Sequence, residues 1–226
     1  MIKLLDLYCG AGGCAVGYNQ AAEDLGIEIE ITGIDIEPQP NYPFTFIQGD
    51  AIEYINAHGH LYTHVHASPP CQEYSKSTAP AKSKGVTYPD LVAPTRLAIE
   101  KTGLTGVIEN VPGAPIRPDV RLRGDQFGLK VLRLRWFETI GFFMMQPGIP
   151  QKVGSVENGD YSCCVGNGSY ITNKKNKYPK FKKESVLETW KYAMGIEWMK
   201  STAELSQSIP PAYTRYIGLN WFEQTK

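Results

Sequence analysis

Three short segments carry residue types that do chemistry at the ends of apolar runs. The first is Ser-Pro-Pro-Cys-Gln, residues 68–72. A cysteine directly after two prolines sits on a backbone whose φ angles are partly fixed, which suits a nucleophile held at a set angle. Most free cysteines are instead small buried hydrophobes. The second is Ile-Glu-Asn-Val, residues 108–111, where Glu109 closes an apolar stretch. A buried, unpaired carboxylate is costly, so Glu109 is either solvated or partly protonated and in use. The third is the glycine cluster Gly10, Gly12 and Gly13 in Asp-Leu-Tyr-Cys-Gly-Ala-Gly-Gly. Glycines there let the backbone turn sharply and approach a ligand, and the amides of a following helix stay free to meet it. The spacing is not the GxGxxG of dinucleotide enzymes.

These segments need elements to position them. Residues 2–8 read as a buried strand, Val16 to Leu25 as a helix, and residues 29–36 as a second strand rich in β-branched residues. Strand, glycine turn, helix, strand is a βαβ unit with parallel strands. Residues 44–51 supply a third strand ending at Asp50, residues 64–70 a fourth ending at Pro69 and Pro70, and residues 106–110 a fifth, after a helix over Asp90 to Thr102. Residues 132–143 read as a later strand or hairpin. Ligands bind outside the carboxyl ends of such parallel sheets, where Asp35, Asp50, Cys71, Glu109 and Asn110 gather. Asp35 is placed to accept hydrogen bonds from ribose hydroxyls and Asp50 to reach an adenine amino group, which points to an adenosine-containing cofactor.

From Gln146 to about Pro179 the texture turns to Gly, Asn, Pro, Ser and Tyr without period, and it ends in a run with six lysines in ten residues, 174–183. Helical character returns over Val186 to Met194, and a last helix begins near Pro210 or Pro211. The division is a catalytic and cofactor-binding domain over 1–145, a short recognition lobe over 146–185, and a segment over 186–226 returning to the catalytic domain.

Lys and Arg total 23 against 23 Asp and Glu, so no global basic field announces nucleic acid, and such a partner must be held by local charge. Five cysteines without a CxxC pair fit free thiols in a reducing compartment better than a disulfide framework. No apolar run reaches the roughly 20 residues of a membrane span, and the N-terminus lacks a signal peptide's apolar core, so a cytoplasmic protein is expected. His58, His60, His64 and His66 include two HxH pairs, but no acid or cysteine completes a ligand set, and no metal site is expected.

The three segments, together with Arg133 and Arg135 in residues 133–137 and the terminal Ser-Ile-Pro-Pro-Ala-Tyr-Thr-Arg-Tyr-Ile-Gly, resemble the cytosine carbon-5 DNA methyltransferase family. The motifs fall in that family's order over most of the chain. The resemblance implies a Rossmann-like α/β fold with a mostly parallel sheet flanked by helices and a small loop-rich recognition lobe. It implies S-adenosylmethionine as cofactor, and double-stranded DNA as partner with the target cytosine flipped out of the stack.

Carried over, Cys71 is the nucleophile that adds to carbon 6 of cytosine. Glu109 is an acid toward ring nitrogen 3, Asn110 positions the catalytic loop, and Arg135, with Arg133 near it, holds the base and its backbone. A thiol of pKa about 8.5 is only slightly ionised at neutral pH, so the two arginines are expected to assist Cys71. Cofactor contacts fall to Tyr8, Cys9, Gly10 and Gly12, to Asp35 and Ile36, to Asp50 and Ala51, and to Pro70 and Leu91. Ser206, Gln207 and Ser208 take the methionine end. DNA contacts fall to Gln72 and Ser75, and to Lys174, Lys175 and Lys177 as phosphate anchors.

The chain departs from the family twice. Ser206 and Gln207 stand where Gly-Asn is usual, which leaves room for a sulfonium carrying a larger group such as carboxymethyl. The recognition region is short, as in a stripped-down monomeric enzyme of a bacterial virus or mobile element. Transfer to RNA and a catalytically silent DNA-binding relative are the rival readings, the latter weakened by the joint presence of Cys71, Glu109 and Arg135.

Overall fold

The computed structural model describes residues 1–75, 78–148, 154–165 and 179–225. Seven strands form one sheet in the order β3-β2-β1-β4-β5-β7-β6. They are β1 (Ile2–Leu7), β2 (Ile29–Asp35), β3 (Thr45–Gln48), β4 (His64–Ala67), β5 (Thr105–Asn110), β6 (Val120–Leu122) and β7 (Arg135–Ile140). The first five are parallel, and β7 runs antiparallel to both β5 and β6. This is the expected Rossmann-like arrangement, a mostly parallel sheet with helices on both faces.

The central strands are continuous apolar runs because both their faces are covered; Leu4, Leu5, Val65 and Val107 have no exposed surface. On one face lie α1 (Gly13–Asp24) and α7 (Pro211–Gln224), and on the other α2 (Ala51–His58) and α4 (Val92–Thr102), each over its own apolar cluster. The remaining helices are α3 (Ala79–Lys82), α5 (Val186–Met194) and α6 (Thr202–Gln207). None of the described helices is long and apolar enough to cross a membrane.

Helices α1 and α7 meet at Gly17, where a β-carbon would stand 2.0 Å from Thr214 Oγ1 and 2.1 Å from the Pro211 carbonyl. The Thr214 hydroxyl donates to the Cys14 carbonyl at 2.8 Å, locking the C-terminal helix onto the first βα unit. Backbone atoms cannot yield as a side-chain tip does. Gly17→Ala should therefore lose about 1–3 kcal/mol or more by overpacking, read as a lower urea midpoint at unchanged slope.

Strand register explains the functional edge. Leu7 is level with Ile34 and with Ala67, and Ala67 with Ile108. The next residues, Tyr8, Asp35, Ser68 and Glu109, therefore form a row along the carboxyl end of the parallel strands. Because β7 is antiparallel, its first residue, Arg135, reaches this same edge, one place beyond the Asn110–Trp136 pair.

Several elements differ from the expected ones. Residues 132–143 yield a strand only over Arg135–Ile140, since Arg133 adopts a left-handed φ of 33° that breaks the extended run. Asp50 does not end β3 but caps α2, its Oδ1 accepting the amides of Ile52 and Glu53, both at 2.8 Å. Helix α1 begins at Gly13, three residues earlier than expected, with left-handed Gly12 before it. Strand β6 and helix α6 carry too few residues for a readable period, though Ser201 and Glu204 form a capping box at the start of α6. In the described part of the presumed lobe, residues 154–165 and 179–185 contain no helix or strand beyond a bridge from Ser162 to Val131.

Candidate active site

The turn after β1 is built from three left-handed residues, Tyr8, Gly10 and Gly12, with φ of 56°, 49° and 85°. Tyr8, which lacks glycine's freedom, is held there by a hydroxyl contact to Thr95 Oγ1 at 2.8 Å. Asp35 Oδ2 accepts the Gly10 amide and Oδ1 the Glu37 amide, both at 3.0 Å. A carboxylate has about four acceptor positions, so Asp35 fixes the glycine turn and can still receive hydroxyls. Next to it the Ile36 side chain is 65% exposed, an apolar surface of the kind a purine ring covers. Nothing lies within 4 Å of where a β-carbon on Gly10 would be, so the turn opens onto free space. Ala51 is buried at the start of α2, while Pro70 and Leu91 are half-buried.

The chain's far end closes this turn. A β-carbon on Gly13 would stand 2.1 Å from Ser208 Oγ and 2.3 Å from the Ile209 carbonyl, so Ser208 and Ile209 lie against the start of α1. Ser206 turns its hydroxyl onto the Ala203 carbonyl at 2.8 Å, Gln207 is exposed, and Ser208 is buried. Trp198, a contact that sequence reasoning missed, donates its indole N–H to the Ala11 carbonyl at 2.8 Å. The turn opening at Gly10, the Asp35 carboxylate and the exposed Ile36 side chain together fit an adenosyl group in donor set.

At the ends of β4 and β5 the reactive groups converge. The half-buried Cys71 opens a turn in which its carbonyl accepts the amides of Tyr74 at 3.0 Å and Ser75 at 2.9 Å. Asn110 Nδ2 donates to the Pro69 carbonyl at 3.0 Å, pinning the diproline from the neighbouring strand. Gln72 is exposed and Ser75 half-buried on the same loop. Tyr74 hydrogen-bonds to Asp90, and Lys82 pairs with Glu73, closing the loop over residues 71–90.

Glu109 is 5% exposed, and Arg135 Nε lies 3.0 Å from its Oε1. The contact is close but off-axis, so Oε1 has no directed hydrogen bond despite the ion pair. Burial dominates and raises the Glu109 pKa above the ordinary carboxylate range, against the pull of Arg135 and Arg133. Burial also pushes the Cys71 thiol up, reinforced by Glu109 and opposed by Arg135 and Arg133. The arginines thus act on Cys71 in the expected direction without outweighing desolvation.

Arg133 is spent on main chain. Its guanidinium donates to the Cys164 carbonyl at 2.9 Å and the Ser206 carbonyl at 2.6 Å, while its Nε is buried without a partner. Among the terminal lysines, Lys180 pairs with Asp160 at 2.5 Å and Lys183 lies over the Tyr192 ring at 4.4 Å. Lys174, Lys175 and Lys177 lie outside the described residues. His64 hydrogen-bonds to Thr63 and Thr225, both at 2.8 Å. Groups of three or more potential metal ligands do not occur among the described residues.

No protein-family profile matches the chain, and no curated protein does. Among solved structures it is similar to the Entamoeba histolytica methyltransferase EhMeth, with a TM-score of 0.62 at 13% identity, covering 100% of this chain and 99% of that one. The class defined is thus a Rossmann-like α/β fold, shared with that protein over the whole length of both chains.

Proposed function

We propose that the chain is an enzyme transferring a methyl group from S-adenosylmethionine to carbon 5 of cytosine in double-stranded DNA, through a covalent adduct at Cys71. One observation carries this reading: Cys71 and the buried Glu109, whose pKa burial raises, act on each other electrostatically beside Arg135, at the edge where the glycine turn opens. The resemblance of the 68–72 and 108–111 motifs supports it, and so does the fold shared with a protein titled a methyltransferase.

S-adenosylmethionine supplies an electrophilic methyl group on a sulfonium. Carbon 5 of cytosine is too weak a nucleophile to take it unaided. The Cys71 thiolate adds to carbon 6, and protonated Glu109 donates to nitrogen 3 as charge develops there. The ring becomes an enamine whose carbon 5 accepts the methyl group. Loss of the carbon-5 proton to water, return of the nitrogen-3 proton to Glu109 and departure of the thiolate restore the aromatic ring. Carbon 6 is unreachable inside a duplex, so the base must be extruded, with Gln72 and Ser75 near the vacated stack and Lys174, Lys175 and Lys177 on phosphates. Arg135 holds Glu109 and the base, while Arg133 acts through the main chain it braces.

Nucleoside mass spectrometry of DNA and RNA from cells expressing the chain tests the reading. The expected result is 5-methylcytosine in DNA, absent with Cys71→Ala. Its confinement to RNA overturns the substrate, and a heavier cytosine adduct overturns methyl as the transferred group. Asp35→Ala is expected to weaken S-adenosylmethionine binding by about tenfold or more, measured by calorimetry, as one charge-assisted contact and the brace on Gly10 are lost together.

A further inference from the structure

Between residues 105 and 145 the chain carries four acids, and each has its own arginine. Arg135 lies 3.0 Å from Glu109, Arg96 2.7 Å from Glu138, Arg117 2.7 Å from Asp119 and Arg123 2.5 Å from Asp125. Arg121, the middle residue of β6, is left over. It is exposed, and among the described residues its guanidinium has no hydrogen-bond or ion-pair partner. What holds it is the half-buried Trp136, whose ring centre lies 5.5 Å from the guanidinium carbon. The ring fixes the cation by its π-face and uses none of its N–H donors, which keep the forked arrangement that matches a phosphate.

Strand register places this pair beside the candidate active site. Directly opposite residues of an antiparallel pair share a face of the sheet. Asn110 stands opposite Trp136, and Trp136 opposite Arg121, so the three form one row across β5, β7 and β6. At the inner end of the row, Asn110 donates to the Pro69 carbonyl ahead of Cys71. Two strand spacings, about 10 Å, separate the Arg121 backbone from β5. That backbone is pinned from outside: Gln146 Oε1 accepts the Arg121 amide and its Nε2 donates to the Arg121 carbonyl, both at 2.7 Å. The outer edge of β6 is thereby closed at this point to strand addition by another polypeptide. In a chain with 23 basic and 23 acidic residues, a fixed and unpaired cation at the rim of the site is the local charge that a polyanion needs.

We propose that Arg121, held by Trp136, is a phosphate contact for the substrate DNA, gripping the strand beside the extruded cytosine. The proposal rests on the reading of DNA as the substrate and names one place where its backbone is held. A phosphate contact carries no sequence information, so this one supplies position and affinity on any sequence.

Fluorescence anisotropy of a random-sequence DNA duplex, titrated with the full chain at several salt concentrations, tests it. Loss of one phosphate contact lowers the slope of log affinity against log salt by about 0.9. Arg121→Gln should show that loss, so that its penalty shrinks about threefold between roughly 50 and 200 mM salt. Arg121→Lys should keep the slope, with an affinity between the other two, because the charge remains while the planar fork is lost. Lys101→Gln, which removes an exposed cation at the opposite end of the sheet, should leave the slope as it is. The side chain of Arg121 is exposed and its bonds to Gln146 are main-chain, so the variants keep the fold, as circular dichroism should confirm. An unchanged slope in Arg121→Gln, or an equal loss in Arg121→Lys or Lys101→Gln, overturns the proposal. A loss seen on an RNA duplex but not on DNA overturns DNA as the strand held. A parent chain that binds no nucleic acid overturns this contact and the proposed function together, whereas binding without 5-methylcytosine in cells sinks the chemistry and leaves the contact standing.

Discussion

Cys71→Ala is expected to abolish methylation, by on the order of 10⁴-fold or more, while leaving the folded protein and its binding of DNA intact. The magnitude follows from removing a covalent step for which no other group substitutes. The expectation of intact folding follows from geometry. Cys71 is half-buried, its contribution to the loop is its carbonyl, accepting from Tyr74 and Ser75, and both bonds survive the substitution. The diproline ahead of it is held by Asn110 through main chain. Two measurements separate this from a collapse of the site. Incubation with DNA carrying 5-fluorocytosine should yield a denaturation-resistant protein–DNA adduct with the unaltered chain and none with Cys71→Ala, while gel-shift affinity stays within a few-fold. Loss of DNA binding along with the adduct would mean that Cys71 shapes the loop rather than attacking the base.

The thiol also has a pH dependence whose sign can be worked out. Burial raises the Cys71 pKa, so less thiolate is present at neutral pH than in a free cysteine. Glu109 must keep its proton, and its pKa is raised from the carboxylate side. Burial thus works for the acid and against the thiolate of the reactive combination. Positive charge brought near Cys71 by the bound sulfonium favours the thiolate.

What the sequence made legible was local. The run from β1 through the glycine turn to β2 is one continuous stretch, and periodicity plus turn chemistry specify it without reference to the rest of the chain. Cys71 and Glu109 each close an apolar run, so their place at strand ends was readable too. Long-range pairing was not. Arg135 meets Glu109 only because β7 enters antiparallel, and nothing in residues 132–143 states a strand's direction. The indole of Trp198 fixes the Ala11 carbonyl across 187 positions of chain, and Ser208 touches Gly13 from a similar distance in sequence. Asp50 was expected to end β3, but its capping of α2 depends on where β3 stops, and strand ends are weakly encoded. The surroundings of His64 and His66 on β4 were not legible either, since the rings they pack on, Tyr18, Trp221 and Phe222, come from opposite ends of the chain.

Glu109→Gln separates the catalytic from the structural role of the buried acid. Glutamine keeps the shape and an acceptor for Arg135 but has no acidic proton to give nitrogen 3. Turnover is expected to fall by about 10² to 10⁴-fold, with DNA affinity changed little. Stability should move the other way. The folded-state pKa of Glu109 is raised, so the folded protein holds this proton more tightly than the unfolded chain does. Its contribution to stability is then fully present below the unfolded pKa of about 4.3 and is lost as pH rises through the folded value. Glutamine has no such loss. Urea denaturation at pH 8 should find Glu109→Gln at least as stable as the parent chain, and the difference between them should shrink or reverse toward pH 4. A buried acid that weakens the fold at working pH is retained for what its proton does. Equal turnover in the two proteins would remove Glu109 from the chemistry, and a variant less stable at pH 8 would make the Arg135 pair a structural brace instead.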